Sequence, residues 1–162
     1  MITLQRISED NLEDVLKLRA SEKLVAPNSY SLAEAYCCLQ AIANGEIPPK
    51  FALMPFAIAK GEIIVGFAMI GFEDGGDVYS DGSIYWISRL MIDEQHQGKG
   101  YGKAAMAALI NLVKTKPNNC EAKYIYTSYV PENNIAAKTY AGFGFIKTEQ
   151  VLDGEDVVRL VF

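Results

Sequence analysis

The sequence predicts an α/β fold of the α+β type, a sheet flanked by helices, and three observations predict it. Apolar runs of strand length recur through the middle of the chain, and a glycine-rich turn after one of them opens directly into an apolar-striped helix. The last third then reads strand, helix and a closing hairpin around Asp153-Gly154. A length of 162 residues, 50% hydrophobic and 22% charged, suits one domain with a sizeable core.

The elements follow in order. Ile2 to Arg6 alternates as a strand, and Asp10 is placed to cap a helix carrying Leu12, Val15 and Leu16 on one face. Ser31-Leu32-Ala33-Glu34 has the form of a capping box, after which Leu32, Ala35, Tyr36 and Leu39 repeat at helical spacing until Asn44-Gly45 and Pro48-Pro49. Phe51 to Ala59 and Ile63 to Phe72 flank Lys60-Gly61-Glu62 as an antiparallel hairpin, with Gly66 marking a bulge. The acidic stretch from Glu73 to Gly82, with Asp74, Asp77 and Asp81, reads as a solvated loop without the spacing of an EF-hand. Ile84 to Ile92 is the next strand. Met106, Leu109, Ile110 and Val113 stripe a helix that Pro117 ends, and Lys123 to Ser128 supplies another strand. Asn133 begins the last helix, and Phe143 to Lys147 and Val157 to Phe162 form the closing hairpin.

Composition narrows the function classes. Asp and Glu outnumber Lys and Arg by 20 to 15, which disfavours a nucleic-acid partner and favours a cationic one. The first ten residues carry charge and alternate, and no run approaches the length of a membrane span, so the expected setting is the cytoplasm, with no membrane partner. Cys37, Cys38 and Cys120 form neither a C-x-x-C pair nor a zinc set, which leaves reduced thiols and no expected metal.

The chemistry concentrates after the strand Ile84 to Ile92. Gln97-Gly98-Lys99-Gly100-Tyr101-Gly102-Lys103 places alternate glycines at a helix start, where unpaired N–H groups and the helix dipole favour a diphosphate. It is no P-loop, because neither Gly98-Lys99 nor Gly102-Lys103 precedes Ser or Thr, and no Rossmann fingerprint, because Lys103 stands where the third glycine belongs.

What remains, Gln97-x-x-Gly100-x-Gly102, resembles the acyl-CoA pyrophosphate loop of the GNAT superfamily of N-acetyltransferases. Asn133-x-x-Ala136-x-x-x-Tyr140-x-x-x-Gly144-Phe145 is similar to that family's second CoA-contacting segment, at the usual spacing. The element order resembles the GNAT acyl-CoA N-acyltransferase fold across nearly the whole chain. The resemblance implies a mixed central sheet flanked by helices, with the strand before the glycine loop and the strand before the Tyr140 helix splayed apart to admit a pantetheine arm. It further implies acetyl-CoA as acetyl donor, with the loop N–H groups and Lys99 and Lys103 at the diphosphate and the backbones of Leu90, Met91 and Ile92 along the arm.

Aminolysis of a thioester needs a neutral amine and a proton for the departing thiolate. Tyr140, a phenol protonated at neutral pH, suits the second role, and the resemblance places it there; taken alone, a helical Tyr at this spacing reads as a core or interface residue. Asn133 caps its helix or bonds the arm, with Asn134 adjacent as the alternative. The base is open. Some polyamine-acetylating relatives carry a carboxylate two residues before the arm-binding segment, where this chain has Ser88, so a water relay, Glu34 or Glu22 would take the proton. For Glu34 the capping-box role is the better explanation, since it requires only local geometry. His96, the only histidine, precedes the phosphate loop and reads as a solvent-exposed or loop-packing residue and not a catalytic one.

Within the family, Val25-Ala26-Pro27-Asn28, Ser31 to Tyr36, Trp86-x-x-Arg89 and Ile92-Asp93-Glu94 resemble the bacterial spermine/spermidine (diamine) acetyltransferase group. Glu22, Tyr30, Glu34, Tyr85 and Trp86 are then candidates to hold a cationic chain by charge and cation-π contact, Trp86 also reading as a core aromatic. The competing expectations are acetylation of a protein N-terminus or another small amine, and a non-catalytic acyl-CoA-binding sensor. The small-molecule amine is the expected partner, and a homodimer is allowed.

Overall fold

From its amino end the chain runs β1 (Ile2–Arg6), α1 (Glu9–Lys17), α2 (Asn28–Ala43), β2 (Met54–Lys60), β3 (Ile63–Glu73), β4 (Ile84–Ile92), α3 (Tyr101–Lys114), β5 (Tyr124–Tyr129), α4 (Asn134–Gly142), β6 (Ile146–Leu152) and β7 (Glu155–Val161). The structure is a computed structural model that describes residues 1–20, 27–74 and 82–162. All seven strands form one sheet in the spatial order β1-β2-β3-β4-β5-β7-β6. Neighbours are antiparallel except β4 and β5, which run parallel, so the sheet is mixed.

Strand alternation sends successive side chains to opposite faces, and each face is covered differently. Phe56, Ile58, Ala68, Ile70, Tyr85 and Ile87 pack against Ala105, Met106, Leu109 and Val113 of α3, with Tyr140 of α4 in the same cluster. Ala57, Phe67, Met69 and Met91 point the other way, onto Val15 of α1 and Ala35 of α2. Farther along that second face Ile84, Tyr126 and Val157 form a smaller cluster on which Trp86 and Tyr124 rest.

Several local expectations hold. Asp153 and Gly154 both have positive φ, 49° and 84°, as a two-residue type I′ hairpin requires. Pairing shifts between Ile58 and Ala59 opposite Gly66, which marks the bulge. Others need correction. The cap of α1 is Ser8, whose N–H donates to Asn11 Oδ1 at 3.0 Å, while Asp10 lies in the first turn where the helix dipole favours a carboxylate. Ser31 caps nothing: α2 starts at Asn28, directly after Pro27, so Ser31 is buried in its second turn and Glu34 is exposed. The buried face of α2 is accordingly Asn28, Ser31 and Ala35, and Tyr36 is 63% exposed. Pro48-Pro49 directs a 3₁₀ turn over Pro49–Phe51, which delays β2 to Met54. Phe143 closes α4 instead of opening a strand, and Gly144 at φ 89° turns the chain into β6.

Tyr85 shows how the second half of the chain is tied down. Its ring is 0% exposed against Phe72 and Phe162, and its hydroxyl lies 3.0 Å from both the Pro117 and Cys120 carbonyls, fixing the turn between α3 and β5. Burial, with a smaller contribution from Cys120, pushes the phenol up to about 12 from an ordinary 10.0. A raised folded-state value means stability is whole below the unfolded ionisation and is lost as pH climbs from 10.0 through about 12. Tyr85→Phe is expected to cost about 1–2 kcal/mol in denaturant unfolding at neutral pH, since a buried hydrogen bond to two carbonyls goes.

Candidate active site

The glycine turn is built from the end of β4 outward. Asp93 is buried, and its carboxylate accepts the Arg19 N–H at 2.8 Å and the Gln95 N–H at 3.0 Å, starting a 3₁₀ turn over Glu94–His96. Gln97 Nε2 donates to the Ile92 carbonyl at 3.0 Å and Lys99 Nζ to the Gln95 carbonyl at 2.9 Å, so both side chains brace the turn. Gly98 and Gly100 hold φ of 73° and 77°, a left-handed region that favours glycine. The first intrahelical bond of α3 runs from the Ala104 N–H to the Gly100 carbonyl at 3.1 Å, leaving the Tyr101, Gly102 and Lys103 N–H groups without intrahelical partners. A Cβ at Gly98 or Gly100 would meet nothing within 4 Å, so open space adjoins those donors. Gly102 differs: its Cβ would make ordinary contact with Ile92 at 3.6 Å. Open space beside free N–H groups, with Lys103 exposed in the same first turn of α3, is a fit for a diphosphate.

Next to this turn the sheet opens. β4 and β5 pair only at Ile84, Tyr85 and Trp86 with Tyr124, Ile125 and Tyr126. The Thr127 hydroxyl then donates to the Ile87 carbonyl at 2.9 Å, and beyond it β4 has a strand partner on the β3 side alone. Pairing passes from Ile70 with Ile87 to Met69 with Arg89, so Ser88 is the extra residue of a bulge, its hydroxyl donating to the Met69 carbonyl at 3.3 Å. Leu90, Met91 and Ile92 follow with one unpaired backbone edge. An extended amide-bearing chain can complete such an edge by strand-like pairing.

Tyr140 stands at the closed end of this opening. Asn133 caps α4, its Oδ1 accepting the Ala136 N–H at 3.0 Å, which is the local role expected of it. Seven residues on, the Tyr140 ring is buried between Tyr129 and Phe145, with centroids 5.8 and 5.6 Å away. Burial holds the phenol above its ordinary range; hydrogen bonding with Thr127 opposes this, and the nearby Glu155 and Tyr129 add to the rise. The same Thr127 holds the Ile87 carbonyl, so the chain Tyr140, Thr127, Ile87 spans the point where the strands part. Sequence reasoning missed Thr127, whose only signal was its place two residues after Ile125 on the inward face of β5.

The other candidates divide. Trp86 is half-buried against Ile84, Tyr126 and Val157, on the face away from α3, and Arg89 is paired with Met69 on that face. Tyr85 is withdrawn as a substrate contact, because alternation turns it into the opposite core. Tyr30 is 70% exposed in the first turn of α2, and Glu34 is exposed one turn later. Glu22, like Val25, Ala26, Asp77 and Asp81, lies outside the described residues. His96 is half-buried at the end of its 3₁₀ turn, short of the opening. The cysteines are unpaired, and among the described residues no group of three potential ligands could hold a metal ion. Among them also, no helix is long and apolar enough to cross a membrane.

The profile of the Acetyltransferase (GNAT) family matches residues 12–145, which spans the opening, the glycine turn and Tyr140. The chain belongs to this family. It is an acetyl-CoA-dependent N-acetyltransferase of GNAT type, with acetyl-CoA as co-substrate. The spermine/spermidine N(1)-acetyltransferase of Bacillus subtilis (strain 168) is 30% identical over 159 residues, covering 97% of this chain and 96% of that protein. The probable spermine N(1)-acetyltransferase of Bacillus subtilis subsp. natto (strain BEST195) is 29% identical over the same length and coverage. Among solved structures, aminoglycoside acetyltransferase AAC(6')-Ib in complex with coenzyme A and kanamycin superposes with a TM-score of 0.74 at 22% identity, covering 99% of this GNAT chain and 95% of its own. That likeness carries the fold, including the mixed sheet that the resemblance implied.

Proposed function

We propose that this GNAT protein acetylates a primary amine of a polyamine such as spermidine or spermine, by direct attack of the amine on acetyl-CoA in a ternary complex. The observation that carries the chemistry is the buried Tyr140 phenol, linked through Thr127 to the strand edge where β4 and β5 part. The polyamine rests on the 30% identity to a spermine/spermidine acetyltransferase over nearly the whole of both chains.

In this reading the turn over 97–103 holds the diphosphate through backbone N–H groups, with Lys99 and Lys103 as local cations. The free edge of Leu90, Met91 and Ile92 pairs with the arm, and Asn133 keeps α4 in place or meets the arm as well. The amine nitrogen bonds to the acyl carbon, the carbon–sulfur bond breaks, and the sulfur takes the Tyr140 proton. Because burial raises the phenol, Tyr140 remains a proton donor across the neutral and mildly alkaline range. Ser88 is no base, so the proton of the amine passes to water, and the Tyr140 phenolate regains a proton from solvent. Three unpaired thiols accord with a reducing compartment such as the cytoplasm.

The test is release of free thiol from acetyl-CoA with a panel of amines at equal concentration. Polyamines are expected to outpace N-terminal peptides and aminoglycosides, with the rate rising from neutral toward mildly alkaline pH as the attacking nitrogen loses its proton. Added salt should raise the Michaelis constant for the polyamine more than it lowers turnover, because screening weakens encounter and binding first. A clear preference for a peptide or an aminoglycoside rejects the polyamine. Absence of turnover with every amine favours the acyl-CoA sensor.

A further inference from the structure

We propose that Glu155 is the carboxylate that receives the ammonium group of the acceptor and aims its nitrogen at the end of the β4–β5 opening. The proposal rests on the amine-acetylation reading above. Its basis is placement: Glu155 opens β7, directly after the Asp153-Gly154 turn, and the Ser128 hydroxyl of β5 donates to its Oε2 across the strands. Ser128 lies one residue past Thr127, the side chain that bridges to Ile87 where the two strands part. The hydroxyl therefore fixes a carboxylate at the closed end of the opening and leaves Oε1 for a second donor.

The face is also right for an acceptor. α3 and Tyr140 fill the first face of the sheet, and the glycine turn leads into α3, so a donor arm between the strands leaves the second face for the incoming amine. Val157 belongs to the cluster under Trp86 on that second face, and strand alternation puts Glu155 and Ser128 on the same side. An aromatic ring and a carboxylate thus share one face, a pairing suited to a cationic chain. Glu155 is close enough to Tyr140 for its charge to help hold that phenol protonated.

Charge accounting separates Glu155 from its neighbour. Asp156, on the opposite side of β7, is already paired with Lys147 at 2.6 Å. Among the described residues no lysine or arginine makes an ion pair with Glu155. Ser128 organises the carboxylate without neutralising it. β4 carries no carboxylate from Ile84 to Ile92, and Glu155 supplies a negative charge from the other side of the opening.

The experiment compares the parent with Glu155→Gln and Ser128→Ala, reading thiol release with spermidine and with trifluoroethylamine, which is largely uncharged at neutral pH. Glu155→Gln keeps a partner for Ser128 and loses only the charge. It is expected to lower kcat/KM for spermidine on the order of tenfold to a hundredfold, mostly through KM, as for loss of a charge-assisted hydrogen bond. The value for trifluoroethylamine and the KM for acetyl-CoA should hold, and Glu155→Asp should recover part of the loss. Ser128→Ala is expected to fall between parent and Glu155→Gln. Equal losses for both amines, or no loss for spermidine, overturn the assignment while leaving the acetyltransfer reading intact. Failure of the parent to use either amine overturns both. Thermal unfolding of each variant verifies that it is folded.

Discussion

Tyr140→Phe is expected to bind acetyl-CoA as the parent does and to turn over on the order of tenfold to ten-thousandfold more slowly, the range for loss of a general acid. The substitution leaves the ring packed between Tyr129 and Phe145 and removes only the hydroxyl that hydrogen-bonds with Thr127. The pH profile gives a second check. A buried phenol whose ionisation is pushed upward keeps its proton as the amine substrate deprotonates, so parent turnover climbs with pH and falls only above the ordinary phenol range. Turnover should be measured where chemistry limits the rate; equal values for mutant and parent would show that water or another group protonates the thiolate.

Gly100→Val is expected to weaken CoA binding on the order of a hundredfold, the scale set by losing a charge-assisted hydrogen bond. Gly100 sits at φ 77° as the cap of α3, so a β-branched residue forces the turn to re-form, and its side chain enters the open space beside the N–H groups. Gly102→Ala is the control, because its methyl meets only Ile92 at 3.6 Å and no positive φ is involved. Calorimetry with CoA, alongside thermal unfolding, decides the matter: unchanged affinity in a folded Gly100→Val protein would remove the turn from the CoA site.

Local signals carried most of the fold into the sequence. The hairpin between β2 and β3, the glycine turn and the Asp153-Gly154 reversal each depend on backbone preferences of a few adjacent residues, and each appears where expected. The errors arose where a local pattern had two solutions. Ser31 to Glu34 satisfies the capping-box spelling, yet Pro27 lets α2 begin a turn earlier, and packing on the sheet buries Ser31 and Ala35 while Tyr36 and Leu39 face outward. Tyr85 and Trp86 are adjacent aromatics that read alike, and only their placement in the sheet sends one into the core under α3 and the other to the opposite face. The meeting of Ser128 with Glu155, and of Tyr140 with Thr127, depends on β5 and β7 pairing across a whole helix. No local pattern specifies that pairing.

The three residue pairs between β4 and β5 also define how the molecule can bend. On one side stand four strands in antiparallel ladders, on the other three, and each set is stiffened by its own hydrogen bonds. The join between them is short, and its last link is the single side-chain bond from Thr127 to Ile87. Turning one set against the other about Ile84–Trp86 would leave every antiparallel ladder intact and would load the core under α3, which draws side chains from both sets. The sheet is thus two antiparallel sets joined at a narrow seam, with the Tyr140 phenol beside the last link of that seam.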